Sequence, residues 1–398
     1  MGKWGPAPMP AEYTIWITND QLTPISDQVD DWTSISVTLR FNEVGTGEFT
    51  APASPELVAA VRTPRARAVI ERNGRILIAG PIEYGGWLDW TAERHGFDGY
   101  GDLTVRFAED LALIAGRLSY PNPAAAASDQ DVARWEQTGT PEVLMRALVN
   151  ANAGPGALTP RRIPRLVLGP SAGLTGSVTW STRFQPVTDD LRGIVALAGG
   201  RVGFRTQQVG TNIEFGVYAP TDRTDRIWFS RSAGNLLGVK HEPEAPKATV
   251  GIGGGKGADA SRIIVERGDP GDWWRLETFV DAAGAENLTA LEAAVDEDLA
   301  GGAEVQRLAV VAADIPGQQY GDYELGDLVA VEAYAGLPDV PDIVSAVQFD
   351  ATPTDGETVS PVIGVGSAQM LNPAAALQRD ILRALSRRGA FVEIPTTT

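Results

Sequence analysis

The chain has 398 residues, enough for two to four domains, and its 43% hydrophobic and 21% charged side chains are those of an ordinary globular protein. Lys and Arg number 33 against 51 Asp and Glu, a net charge of −18, which argues against a protein whose main task is to grip nucleic-acid phosphate. The absence of cysteine excludes disulfides, thiolate catalysis and Cys-based metal sites, and no run has the pattern of a signal peptide or a membrane span, so no membrane anchor is expected.

Residues 1–118 read as a first β-rich segment, a small N-terminal β-barrel. Ile35, Val37, Leu39 and Phe41 alternate with Ser36, Thr38 and Arg40, the period of two of a half-buried strand. Asn73-Gly74 lies between two strand-like runs, the strongest short hairpin signal. Ile76 and Ile78 then share one face, and Trp32, Trp87 and Trp90 offer bulk for the core.

Residues 119–220 form an α/β segment, with helices near 140–152 and 186–199. It opens on a linker with Pro121, Pro123 and an Ala run. Thr140 is placed to cap the first helix, with Pro141 at the first helical position and Glu142 in the first turn. Val143, Leu144, Ala147 and Leu148 make its expected apolar face. Strand-like RLVLG and SVTW precede the second helix, which Gly199-Gly200 stops. RVGFRT and TNIEFGVY follow as alternating strands.

Residues 221–318 combine strands, a helix capped by Asn287 and a Gly-rich stretch at 251–259, expected as a loop. Residues 319–370 repeat the strand–turn–strand pattern of Ala68–Leu88 over Leu325–Phe349, a second small barrel unit, with Asp355-Gly356 as another hairpin turn. In 371–398, Asn372-Pro373 opens a final helix that closes at Gly389. Leu377, Ile381 and Leu385 line one side of it, while Arg379, Arg383, Arg387 and Arg388 make it basic within an acidic chain. Two readings stand open there: packing within the chain, and contact with a neighbouring subunit or partner. The fold class is therefore α+β and β-rich: two small β-barrels, middle α/β segments and a C-terminal helix.

Motifs that carry chemistry are weak. Gly251–Gly257 suggests a phosphate loop, but Lys256 is followed by Gly257, where a magnesium-binding Ser or Thr is needed. Gly169-Pro170-Ser171-Ala172-Gly173 matches G-x-S-x-G, yet LTGSVTW after it is no helix start. His95 and His241 are the only histidines and lack metal-ligand spacing. No catalytic residue, cofactor or metal is expected. Two rivals to an assembly role are a cell-wall hydrolase, with a carboxylate pair hidden among the many acids, and a carbohydrate-binding module using exposed Trp135, Trp273 and Trp274.

Four passages then carry a resemblance. They are WTSISVTLRFNEVGTGEFTAPAS, ARAVIERNGRILIAGPI, TDRTDRIWFSRSAGNLLGVKHEP (Asp222, Arg223, Thr224, Phe229, Ser230, Gly234, Asn235, Leu236) and YGDYELGDLVAVEA (Tyr323, Gly326, Asp327, Val329). Together, from about Trp32 to Val365, they resemble the tail-hub or minor tail proteins of siphophages, actinobacteriophage-like in character. The resemblance implies a virion protein at the tail tip, without enzymatic activity. It implies a homotrimeric ring whose two tube-like barrels per subunit match a six-fold tube. The partners it implies are the chain itself, the distal tail or tail-tube protein, the tape measure protein and tip or fibre proteins, with no sequence-specific nucleic acid. The C-terminal residues Leu377, Arg379, Ile381, Arg383, Leu385, Arg387 and Arg388 are the expected contact set.

Overall fold

The computed structural model describes residues 11–84, 88–91, 100–285, 287–312, 315, 317–332 and 339–364. It divides into two compact units: Met1–Val239 with Val310–Thr398, and Lys240–Ala309. The expected final helix, with all seven of its contact residues, lies outside the described residues, as do Trp87 and His95.

The first unit begins with β1 (Tyr13–Thr18), β2 (Ser34–Arg40), β3 (Thr46–Pro52), helix α1 (Pro55–Val61), β4 (Arg67–Arg72), β5 (Arg75–Pro81), β6 (Leu88–Thr91) and β7 (Asp102–Ala108). A middle section follows: α2 (Leu111–Ala115), β8 (Trp135–Gly139), α3 (Pro141–Asn152), β9 (Leu166–Leu168), β10 (Val178–Thr182), α4 (Val187–Leu197), β11 (Gly203–Val209), β12 (Asn212–Tyr218) and β13 (Trp228–Phe229). The chain passes into the second unit within β14 (Leu236–Glu244). There it forms β15 (Val250–Gly254), β16 (Ile264–Arg267), β17 (Glu277–Asp281) and α5 (Leu288–Gly301), and it returns within β18 (Val305–Ala312). The last strands are β19 (Leu328–Val331), β20 (Val340–Thr352) and β21 (Gly356–Ile363).

The largest sheet runs β13-β19-β20-β2-β3-β7-β6, with β21 on β20. Its centre is the antiparallel pairing of β2 with β20, which sets Val37 opposite Phe349 and Leu39 opposite Val347. Strands from the two ends of the chain therefore share one layer. The alternation read in Ile35, Val37 and Leu39 is the buried set of β2. Each such side chain contributes about 1.5–3 kcal/mol of burial. A smaller sheet, β1-β4-β5, is closed by Asn73-Gly74, whose φ angles of 53° and 72° are those of a primed hairpin turn. Among the described residues no sheet closes on itself. Trp32 meets Tyr13 edge-on at 5.9 Å and is only partly buried. The described chain is β-rich α+β, as the sequence predicts.

The middle section packs α2, α3 and α4 with the sheet β11-β12-β9 around a separate core of Leu144, Leu148, Leu191, Ile194, Phe204 and Phe215. Thr140 Oγ1 accepts from the Val143 N–H at 3.3 Å, the expected cap. The buried face of α3 is rotated from the expected one: Met145 and Val149 join Leu144 and Leu148, while Val143 faces solvent.

In the second unit the Gly-rich stretch corrects the loop expectation, because Val250–Gly254 is the central strand of the sheet β16-β15-β17. A Cβ on Gly251 or Gly253 would overlap Val295 of α5. These glycines let the helix lie directly on the strand.

Candidate functional site

Two sequence passages more than 100 residues apart form a clasp. The Asp327 carboxylate accepts from the Thr221 N–H at 2.7 Å, the Glu324 N–H at 3.0 Å and the Arg223 Nε–H at 2.5 Å. The Arg223 N–H donates to Leu328 O at 2.8 Å, and Asp222 bridges Leu328 in parallel. Asp327 is buried, so its charge is held by one guanidinium and two backbone donors. Gly326 has φ 86° and lies against the Phe41 ring, which a Cβ there would overlap. Phe229 meets Tyr323 edge-on at 5.8 Å. Asn235 is fully buried. Its Oδ1 accepts from the Ser230 N–H at 3.0 Å, and its Nδ2 donates to Trp228 O at 3.1 Å. The Asp222-Arg223-Thr224, Gly234-Asn235 and Gly326-Asp327 passages are thus one structural device.

A second buried polar cluster joins the small sheet to the middle section. Arg67 forms a two-pronged pair with Asp110, Nε to Oδ1 at 2.9 Å, and also donates to Thr18 and Gln208. Burial pushes the Asp110 carboxyl up, and Arg67 opposes that. Beside it, burial pushes Glu109 up to about 7. The Gly45 N–H at 3.0 Å and the Thr206 hydroxyl at 3.3 Å hold that carboxyl, and the Asp110 charge raises it further. A cavity of about 130 Å³ adjoins Glu109, with Ile76 and Leu77 of β5 on one wall and Tyr320 and Leu325 on another. Asn42, at φ 57°, donates to Val202 O at 2.9 Å and accepts from the Phe204 N–H at 2.8 Å, fixing the end of β2 to β11.

The motifs with a chemical reading resolve as structural. Glu142 lies buried below the G-x-S-x-G loop and accepts from the Ala172 N–H at 2.8 Å and the Leu174 N–H at 3.1 Å. Burial raises its pKa, but the Ser171 hydroxyl, those two N–H groups and Arg146 outweigh it, so the carboxyl sits below its usual range. The loop is an anion-anchored turn, and Ser171 touches a carboxylate. Trp135, expected exposed, is 8% exposed and belongs to the core of the middle section. Trp273 and Trp274 are exposed as expected. Among the described residues no group of three or more His, Asp or Glu is placed to hold a metal ion. The clasp and the Glu109 cluster escaped the sequence reading as sites, although Asp327 and Arg223 were already marked by the passages they sit in.

The fold is that of phage tail proteins. The tail protein of Neisseria meningitidis MC58 superposes with a TM-score of 0.54 at 13% identity, over 89% of this chain and 96% of that one. The prophage tail protein gp18 of Listeria monocytogenes EGD-e does so with 0.54 at 11%, over 93% and 99%. The 43 kDa tail protein of prophage MuSo2 from Shewanella oneidensis gives 0.52 at 12%, over 88% and 97%. No curated protein sequence matches the chain. The model of the siphovirus ReqiPepy6 Gp37-like protein family matches residues 13–365, and the chain belongs to this family of siphophage tail proteins.

Proposed function

We propose that this chain is a non-enzymatic structural hub at the distal tip of a siphophage tail, where three copies form a ring that caps the tube. The observation that carries the reading is the long sheet. It unites β2 and β3 with β19–β21, and β6, β13 and β21 each pair on one side only among the described residues. Open strand edges are sites at which neighbouring subunits extend a sheet, and a ring of identical contacts closes only if each subunit offers two complementary edges. In this reading residues 1–118 and 319–370 are the two tube-like barrel elements. Segments 119–220 and 221–318 complete each subunit, and 371–398 contacts the next protein through Leu377, Ile381, Leu385 and the flanking Arg379, Arg383, Arg387 and Arg388. Partners are the tail-tube or distal tail protein, the tape measure protein and tip or fibre proteins. Light scattering of the purified chain tests the ring. The expected mass is three times 42.2 kDa, and a monomer that persists as concentration rises sinks the proposal.

A further inference from the structure

We propose that the arginine-lined cleft between the small sheet β1-β4-β5 and the middle section is a docking site for an acidic peptide segment of a partner protein, one that carries an aliphatic side chain between carboxylates. The inference rests on the first unit alone and is independent of the hub reading. The cleft holds about 450 Å³, within the size range of ligand clefts. Pro81 at the end of β5, Leu113 of α2, Ile163 and Ile213 of β12 give it apolar walls. Arg65, Arg67, Arg117 and Arg162 line it together with Asp20 and Glu83.

These arginines are of two kinds. Arg67 is neutralised by Asp110, and Arg65 pairs with Asp20 at 3.1 Å. Arg117 and Arg162 have no carboxylate partner among the described residues. The Arg117 Nε–H donates to Arg161 O at 3.1 Å, and the Arg162 Nε–H to Ala157 O at 2.8 Å. Each bond fixes one side of a guanidinium and leaves its two Nη groups for a ligand. The neighbouring Arg161 also bonds only neutral acceptors, Asn152 Oδ1 and Leu118 O, and its guanidinium lies 3.6 Å from the Tyr120 ring centroid. Burial pushes the Arg161 pKa down, Tyr120 opposes that, and the Arg117 charge adds to it. The loop under Arg161 and Arg162 is held firmly, with the Arg161 N–H on Leu158 O at 2.8 Å and the Ile163 N–H on Ala153 O at 2.8 Å. Three guanidinium groups without a counter-charge thus stand together in a chain of net charge −18.

Charge and shape together select the occupant. Carboxylates that meet Arg117 and Arg162 form charge-assisted hydrogen bonds and supply the missing counter-charge. The Arg65 side chain is 71% exposed, so its pair with Asp20 is worth little and exchanges readily for a ligand carboxylate. A free inorganic anion would leave the apolar walls wet. A nucleic acid would run its row of phosphates on past the cleft over an acidic chain, and no aromatic ring among the described residues lines the cleft for a base to stack on. A short acidic peptide meets both demands. Its carboxylates pair with the arginines, while a Leu, Ile or Val side chain displaces water from Leu113, Ile163 and Ile213. The acidic remainder of the chain opposes it little, because exposed charges more than about 8 Å apart are largely screened at physiological salt.

Calorimetric titration of the full chain with end-blocked peptides tests the proposal. The probes are Glu-Asp-X-X-Glu-Asp with X as Leu, Ile or Val, the matching Gln-Asn-X-X-Gln-Asn peptides, inorganic phosphate and a short single-stranded DNA. At least one acidic peptide is expected to bind with a Kd below about 1 mM, and its amide counterpart about tenfold more weakly or worse. Arg117→Gln and Arg162→Gln are each expected to weaken the acidic peptide about fivefold, and Arg192→Gln, on the exposed side of α4, to leave it unchanged. A Gln amide still donates to a nearby carbonyl, so circular dichroism and Tm are expected to match the parent chain. The proposal is overturned if no acidic peptide binds at about 10 mM, if the amide peptides bind equally well, or if both cleft variants bind like the parent. It is overturned equally if phosphate or the DNA binds as tightly as the best peptide, or if Arg162→Gln lowers the oligomeric mass, which makes the cleft a subunit contact. The hub reading is judged by the mass of the parent chain, so the two fail separately.

Discussion

The hairpins β4–β5 and β19–β20 share a strand–turn–strand pattern in sequence but are held in different ways. The first is local: Asn73-Gly74 closes it, and its remaining neighbour, β1, pairs with β4 along six residues. The second depends on distant chain. Thirteen-residue β20 lies between β2 and β21, and the loop before β19 is pinned by Asp327 to Arg223. The two meet where Arg72 at the end of β4 lies 5.6 Å from the centroid of the Phe349 ring of β20; Arg72 also pairs with Glu357 of the neighbouring β21 at 2.5 and 2.7 Å, with Tyr13 donating to the same carboxylate. The cavity beside Glu109 is lined by Ile76 and Leu77 of β5 and by Tyr320 and Leu325, which precede β19. Similar local patterns therefore yield one element that its own turn specifies and another that only long-range contacts specify.

The largest effect is expected where the second hairpin is pinned. Asp327→Ala leaves Arg223 and two backbone donors without their acceptor and should destabilise the first unit by about 3–5 kcal/mol in urea denaturation. Hydrogen exchange should then rise in β19–β20 well before β4–β5. Equal loss of protection in both hairpins would remove the distinction.

Glu109 tests the junction through pH. Its folded pKa of about 7 lies above its unfolded value, so between about pH 4.5 and 7 the folded chain holds a proton that the unfolded chain has released. Stability contributed by this group is therefore full below pH 4.5 and falls as pH rises through 7. Glu109→Gln, whose amide can keep the Gly45 bond and donate to the Thr206 hydroxyl, should stabilise the chain by up to about 3 kcal/mol at pH 8 and by little at pH 4. A parallel pH profile for both proteins would show that the carboxyl does not titrate there.

Gly326→Ala combines a left-handed backbone with overlap on Phe41 and should lose about 2 kcal/mol, read as a lower denaturant midpoint at unchanged slope. The smallest effect is expected at Gly74→Ala. No atom lies within 4 Å of a Cβ there, so only its φ of 72° is strained, at about 1 kcal/mol. If Gly74→Ala proves worse than Gly326→Ala, the first hairpin is the less locally determined of the two.

The legible parts were those whose cause is local. Thr140 and Asn287 cap their helices because a short polar side chain before an apolar run satisfies a free N–H. Asn73-Gly74 turns because both positions accept positive φ. Locality also explains the errors. Gly251 and Gly253 resemble a loop in sequence, since nothing nearby announces that Val295, more than 40 residues on, packs against them. Trp135 resembles an exposed aromatic until α3 and β10 close over it. Among the site residues, Asp327 and Arg223 were visible as members of family passages. Their contact was not, because a pair more than 100 residues apart leaves no periodic trace.

By itself the sequence determined the β-rich class, the caps, the primed turn and the family. Each of these depends on a few neighbouring residues or on a pattern that survives when the chain is read in one dimension. Only the tertiary structure decided that β2 pairs with β20, that Asp327 closes on Arg223, and that one face of the second unit's sheet is left open with Phe279 exposed. Those outcomes depend on which surfaces lose water to each other, and that is settled by the whole chain's packing rather than by any segment of it.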